Sequence, residues 1–218
     1  MSGNKTWSNA EEYIAALEKL PLGPNISAFM GHSDLRVSTM GLDRATDDHV
    51  RPTRAELDVM EAKLTAALEA GFAGMSIMNL KFDKLDGERC RSRTIPSTYA
   101  KPREFRRLKS VIRSRGAVVQ SWGLFRKPLK TTLAAAMDSK SNPLGWTVLK
   151  AVMRLGNLFG GNFRFQHLPV PFTVYADGID FVMFEEFGSG EEAMHLADCV
   201  ERDELMQDEA YRRRFRKD

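Results

Sequence analysis

The sequence predicts an α/β fold on a parallel sheet, and three observations carry that prediction. Short apolar runs alternate with segments of helical period, the helical segments have their own start and stop signals, and the apolar runs end in polar loops, where α/β folds place their chemistry. Ser8 or Asn9 caps a first helix with Glu11 and Glu12 in its first turn, and Tyr13, Leu17 and Leu20 recur at helical spacing until Pro21. Asn25 to Met30 reads as a buried strand opening into the polar loop GHSDLRVSTMG. Thr53 and Glu56 form a capping-box signature for the next helix, whose apolar face is Leu57, Met60, Leu64 and Leu68, and Gly71 ends it.

Phe72 to Ile77 is the second strand, and a long polar loop from Asn79 to Tyr99 leads to the basic helix PREFRRLKSVIRSRG, closed by Gly116. Ala117 to Trp122 is the third strand. Leu129 to Met137 fits a fourth strand, although its alanines also suit a helix, and Pro143 to Asn157 is a helix with Leu144, Val148, Val152 and Leu155 on one side. From Gly160 the pattern turns irregular, rich in aromatics, Pro and Gly, with two short helices before a basic end whose cations complement a helix dipole. The expected organisation is a partial (β/α) TIM-type barrel over residues 1–159 and an irregular C-terminal extension over 160–218, packed on it.

A closed eight-stranded β/α barrel takes about 250 residues, whereas about four strand-helix units are legible here. An open half-barrel leaves strand edges unpaired, so the chain pairs with another copy as a homo-oligomer, closes differently, or is a truncated reading frame.

Composition narrows the function. The hydrophobic share of 43% and charged share of 28% are those of an ordinary globular chain. The formal charge of +3 is spread among 29 acidic residues, leaving no continuous basic footprint for nucleic acid. No run is long and apolar enough for a membrane span, and the N-terminal residues have no signal-peptide core. Cys90 and Cys199 lie far apart, compatible with a reducing compartment, and a cytoplasmic location is expected. Serine-hydrolase elbow, Walker and dinucleotide-binding motifs are absent from the sequence.

At GHSDLRVSTMG (Gly31 to Gly41), followed by TRAELDVMEAKLTAALEAGFAGMSI (Thr53 to Ile77), the sequence resembles the amidohydrolase family that includes D-aminoacylase and N-acyl-D-glutamate deacylase. SRTIPSTYAKPREFRRL, FRFQHLPVPFTVYADGIDFVMFEEF and YRRRFR resemble larger bacterial members, so the resemblance covers most of the chain. It implies hydrolysis of the amide bond of an N-acyl-(D-)amino acid at a zinc site on the C-terminal mouth of a β/α barrel. There zinc lowers the pKa of bound water and polarises the carbonyl, while an acidic residue carries the proton to the leaving nitrogen.

The resemblance also implies which ligands the chain does not supply. The family's His-x-His and following Cys would lie before Met1, and its late catalytic Asp would lie beyond the C-terminus or be lost. Gln120, Ser121 and Trp122 stand where a histidine is expected, and Asp138 and Lys140 where a His-x-x-Lys element is expected. No metal ligand is therefore assigned, and the chain is expected to be incomplete as a catalyst, or a non-catalytic relative that binds a small molecule or assembles.

Four residues remain as candidates. Asp138 is the catalytic candidate, and His32, Asn79 and Lys140 are the substrate-binding candidates. His32 either orients a ligand beside Arg36 or hydrogen-bonds its loop. Asn79 either meets a substrate amide at the barrel mouth or caps a loop. Asp138 and Lys140 are either a polar pair, with Lys140 on a substrate carboxylate, or a helix cap and a surface lysine. His49, His167 and His195 read as solvated or structural.

Overall fold

The computed structural model describes residues 7–79, 83–85, 90, 93–121, 130–133, 144–165, 188–196 and 199–217. Its centre is a five-stranded, all-parallel sheet in the order β1 (Phe29–Gly31), β2 (Gly74–Ser76), β3 (Val118–Gln120), β4 (Lys130–Leu133) and β5 (Asn162–Phe165). Spatial order follows chain order, as in a β/α barrel, and the sheet is not closed: among the described residues β1 and β5 each pair on one side only.

The register separates the two faces. Met30, Met75, Val119, Thr131 and Phe163 form one cross-strand row, and its last four members are buried. Met75 and Val119 pack in the main apolar core, beneath Leu57, Met60 and Leu64 of α4 (Arg54–Glu69), Leu108 and Ile112 of α5 (Pro102–Ser114), and Leu35 and Met40 of α2 (His32–Met40). Burying each such side chain contributes roughly 1.5–3 kcal/mol. The flanking rows lie on the opposite pleat and are more open, with Lys130, Asn162 and Arg164 exposed.

Local signals act as the sequence indicates. α1 (Ala10–Glu18) is capped by Asn9, whose side chain accepts from the Glu12 N–H. In α4 the Thr53 hydroxyl accepts from the Glu56 N–H and Glu56 reaches back to the Thr53 N–H, a complete capping box. Gly116 ends α5 with φ +62°, a conformation that glycine adopts freely. Gly74 is required for a different reason: a Cβ there would overlap the backbone carbonyl of Val118, so β2 and β3 approach only because that atom is missing.

Several expectations need correction. GHSDLRVSTMG is not a loop after β1: it forms α2, and then α3 (Leu42–Ala45). Its inward residues His32, Leu35, Arg36 and Met40 fall at helical spacing, hidden in the sequence because two of the four are polar. The irregular stretch after Gly160 begins with β5, a full member of the sheet. α6 (Gly145–Leu158) forms, but Leu144, Val148 and Leu155 of its expected inner face are exposed, and Met153, with Leu149, packs on Phe163 instead. The basic face of α5 is not wholly solvated either, since Arg107 bridges to Asp58 (2.6 Å) and Glu61 (2.7 Å) on α4.

The ambiguous Leu129–Met137 run is a strand over Lys130–Leu133, and residues 134–143 lie outside the described set. Among the described residues the C-terminal part holds three helices rather than two: α7 (Gly188–His195), α8 (Cys199–Gln207) and α9 (Glu209–Phe215). Asp208 caps α9, and Tyr211 Oη donates to the Ser189 carbonyl at 2.7 Å. No described helix is long and apolar enough to cross a membrane.

Candidate functional site

The C-terminal ends of β1, β2 and β3 lie side by side, at Gly31, Ser76 and Gln120. The chain continues from them into His32, Ile77 and Ser121, so this edge carries the start of α2 and the first residues after β2 and β3. The Ile77 N–H donates to the Gln120 carbonyl at 2.8 Å, holding the second and third exits together.

Behind this edge lies a buried polar cluster. His32, the first residue of α2, is 1% exposed, and Arg36, one turn on, is fully buried. Glu104, in the first turn of α5, lies with Oε1 3.0 Å from His32 Nε2, and its Oε2 accepts from Arg36 Nη1. Arg36 Nη2 also donates to the Ala45 carbonyl at 3.3 Å. On the other side of the ring, His32 Nδ1 is 2.8 Å from Ser97 Oγ, within the 3-10 turn Pro96–Tyr99. Ser33 Oγ is 2.8 Å from Ser97 Oγ and accepts from the Ser97 N–H at 3.1 Å.

The carboxylate fixes the proton order, because it can only accept. His32 then carries its proton on Nε2, towards Glu104, leaving Nδ1 to accept from the Ser97 hydroxyl, whose oxygen in turn accepts from Ser33. Burial is the main influence on His32 and lowers its pKa, with Glu104 pulling it back and Arg36 and Lys109 opposing protonation; the ring is neutral near neutral pH. Burial pushes the Glu104 carboxyl up, but the hydrogen bond from His32 and the Arg36 guanidinium outweigh it and hold the group below the usual carboxylate range. The cluster is therefore one cation and one anion around a neutral imidazole. Phe105 covers the ring at a centroid distance of 4.8 Å and carries Lys109 Nζ 5.2 Å from its own centroid.

The sequence candidates separate in space. His32 is in this cluster, behind the mouth, with Nδ1 on Ser97 and Nε2 facing the Glu104 carboxylate. Asn79 is exposed, three residues beyond the end of β2 at the same edge of the sheet. Asp138 and Lys140 lie outside the described residues, as does His167. His49 is exposed in a loop where its N–H donates to Asp47 Oδ1, and His195 is the last residue of α7. Sequence reasoning missed Ser97 and Glu104. Glu104 is a first-turn acid of α5, a position that a helix dipole alone explains, and only pairing across the fold reveals its partners.

Zinc, which the resemblance implies, does not fit the described residues. No group of three or more His, Cys, Asp or Glu among them could hold a metal ion. The described side chains on the open pleat, including Ser76, Val118, Gln120, Lys130, Asn162 and Arg164, offer no imidazole, thiolate or carboxylate, and His32 lies behind it between Ser97 and Glu104.

The arrangement of strands has counterparts among solved structures. N-acyl-D-glutamate deacylase from Bordetella bronchiseptica, solved with zinc and a phosphonate inhibitor, superimposes with a TM-score of 0.57 at 22% identity, over 78% of this chain and 36% of the deacylase. The chain has part of an amidohydrolase fold. D-aminoacylase, described as defining a novel subset of amidohydrolases, shares that fold with a TM-score of 0.55 at 18% identity, over 74% of this chain and 34% of the enzyme.

At the level of sequence, uncharacterized proteins of Mycobacterium tuberculosis and Mycobacterium bovis are 50% identical over 235 aligned positions, 99% of this chain. The chain spans 38% of the length of these relatives, as it spans about a third of the solved amidohydrolases. The alignment is longer than the 218 residues of the chain, so the relatives carry extra residues within the matched span. No protein-family model matches the sequence.

Proposed function

We propose that this chain is a portion of a metal-dependent amidohydrolase barrel that recognises N-acyl amino acids, D-configured ones included, and that it does not cleave their amide bond by itself. The observation that supports this reading is the all-parallel sheet whose strands end on one edge, in a chain that superimposes on part of the deacylase. The shortage of metal ligands supports the second half: water activation would need residues beyond those described.

In this reading Asn79 hydrogen-bonds the substrate amide from the exposed loop after β2, Lys140 binds its carboxylate, and Asp138 is the proton carrier available if catalysis occurs. His32 has a positioning role, fixing the start of α2 and the Ser97 turn behind the mouth. The reading includes a cytoplasmic location, supported by two cysteines without disulfide-framework spacing. A non-catalytic binding or assembly protein on the same fold is the second reading, favoured by the same ligand shortage.

The test is elemental analysis of the purified chain together with release of free amino acid from N-acetyl-D-amino acids and binding of the same compounds by calorimetry. Binding without turnover or stoichiometric zinc is the expected result. Stoichiometric zinc with turnover would overturn the incomplete-catalyst reading, and neither binding nor turnover would leave only the assembly reading.

A further inference from the structure

We propose that Ser33 is a specificity residue at the mouth: its hydroxyl oxygen meets a ligand as a hydrogen-bond acceptor only, so a ligand presenting an N–H there is favoured over its oxygen isostere. This rests on the reading of the mouth as a ligand site, and it names the amide N–H as the group recognised.

The observation is a chain of polar contacts in which each direction is dictated by the one before. Glu104 Oε1 lies 3.0 Å from His32 Nε2. A bare ring nitrogen at that distance would set its lone pair against a carboxylate, so Nε2 carries the proton. The neutral ring then has Nδ1 unprotonated, 2.8 Å from Ser97 Oγ, and the Ser97 hydroxyl gives it its one proton. Ser33 Oγ, 2.8 Å from Ser97 Oγ, therefore donates inward, while it also accepts from the Ser97 N–H at 3.1 Å. One lone pair is left on Ser33, and no proton.

Burial separates the roles of the two hydroxyls. Ser97, His32 and Glu104 have the composition of a nucleophilic triad, yet Ser97 and His32 are each 1% exposed, which keeps a substrate carbonyl from reaching them. Ser33 is half-buried and is the second residue beyond the C-terminal end of β1, the edge at which a parallel sheet presents its ligand-binding groups. Ser97, His32 and Glu104 are thus positioning residues for Ser33. Arg36 completes the set: its Nη1 donates to Glu104 Oε2, which favours the ionised carboxylate and so the direction of the whole chain.

Calorimetry on the full 218-residue chain tests this with a matched pair, an N-acetyl-D-amino acid and the O-acetyl-D-hydroxy acid in which an ester oxygen replaces the amide N–H. The wild-type chain should bind the amide at least about tenfold more tightly. Ser33→Ala and Ser97→Ala should each bring the two affinities to within about threefold of one another, and Ser33→Thr, which keeps the hydroxyl, should restore the preference. Circular dichroism and cooperative melting verify that each variant is folded, and a merely structural role would weaken both compounds together without changing their ratio. Heteronuclear NMR of the histidine rings reads the polarity without any ligand: the His32 signals, identified by their loss in His32→Gln, are expected to be those of the Nε2–H tautomer near neutral pH. An Nδ1–H tautomer would overturn the proposal, since Ser33 would then be turned outward as a donor. Equal binding of amide and ester by the wild type, or a ratio indifferent to Ser33→Ala, would overturn the role of Ser33 and leave the ligand site standing. Binding of neither compound would overturn the ligand site as well.

Discussion

His32 Nε2 at the start of α2 and Glu104 Oε1 in the first turn of α5 lie 3.0 Å apart with both side chains buried, so the exit from β1 is locked to the helix that precedes β3. The lock has a pH signature. The unfolded imidazole protonates near its ordinary 6.5, whereas burial makes the folded one protonate only at lower pH, so the unfolded state binds more protons in that window. Stability should be full above about pH 6.5 and decline on acidification. Glu104 acts in the same direction: its stabilisation is present above the ordinary 4.5 and is lost as the pH falls through its lowered folded value. In His32→Gln the decline should begin only in the carboxylate range, as urea melts between pH 7 and pH 4 would show; an unchanged onset would contradict the neutral buried ring.

Glu104→Ala should destabilise the fold by about 3–5 kcal/mol, because it leaves the Arg36 guanidinium buried without its counter-ion. Glu104→Leu combined with Arg36→Met should recover much of that loss. Denaturation midpoints of these two variants against the parent distinguish a paired charge from simple packing, for which the double variant would be the worse.

Gly74→Ala should cost at least about 3 kcal/mol or abolish cooperative unfolding, since the added methyl meets backbone that cannot move without parting β2 from β3. Gly23→Ala, with open space around the site, is the matched control and should change the melting curve little.

Thr53→Ala should cost about 1 kcal/mol by breaking the capping box of α4. Arg44 chiefly holds the Glu56 carboxyl down at about 2, with the Thr53 N–H adding to it, so the Glu56 pKa measured by NMR should rise in Arg44→Ala while the box itself persists.

Asn79→Ala should leave stability within about 0.5 kcal/mol of the parent, being an exposed loop change. Calorimetry should nonetheless show weaker binding of an N-acyl amino acid. Unaltered binding would remove Asn79 from the recognition surface.

Those features that depend on near neighbours in the chain could be read directly. The Thr53–Glu56 box, the Asn9 cap and the Gly116 terminus are written within four residues each, and the strand-helix alternation follows from period alone. The face of α6 could not be read that way: its apolar stripe is broad, and which half is covered depends on what stands beside β5. β5 itself, NFRF, is too short for its alternation to register as a period. The His32 cluster was invisible for a third reason. Its members come from α2, the Pro96–Tyr99 turn and α5, and each has an ordinary local explanation until the fold brings them together.

The Arg36–Glu104 pair also sets a timetable for synthesis. A nascent chain that has emerged only as far as β2 already contains His32, Arg36 and the strand pair β1–β2, but not the carboxylate that makes their burial tolerable. Until α5 leaves the ribosome, α2 has every reason to keep its charged side in water. The earliest unit able to settle on its own therefore extends through α5, and a ribosome stalled before that point would display a protease-sensitive α2 instead of a docked one.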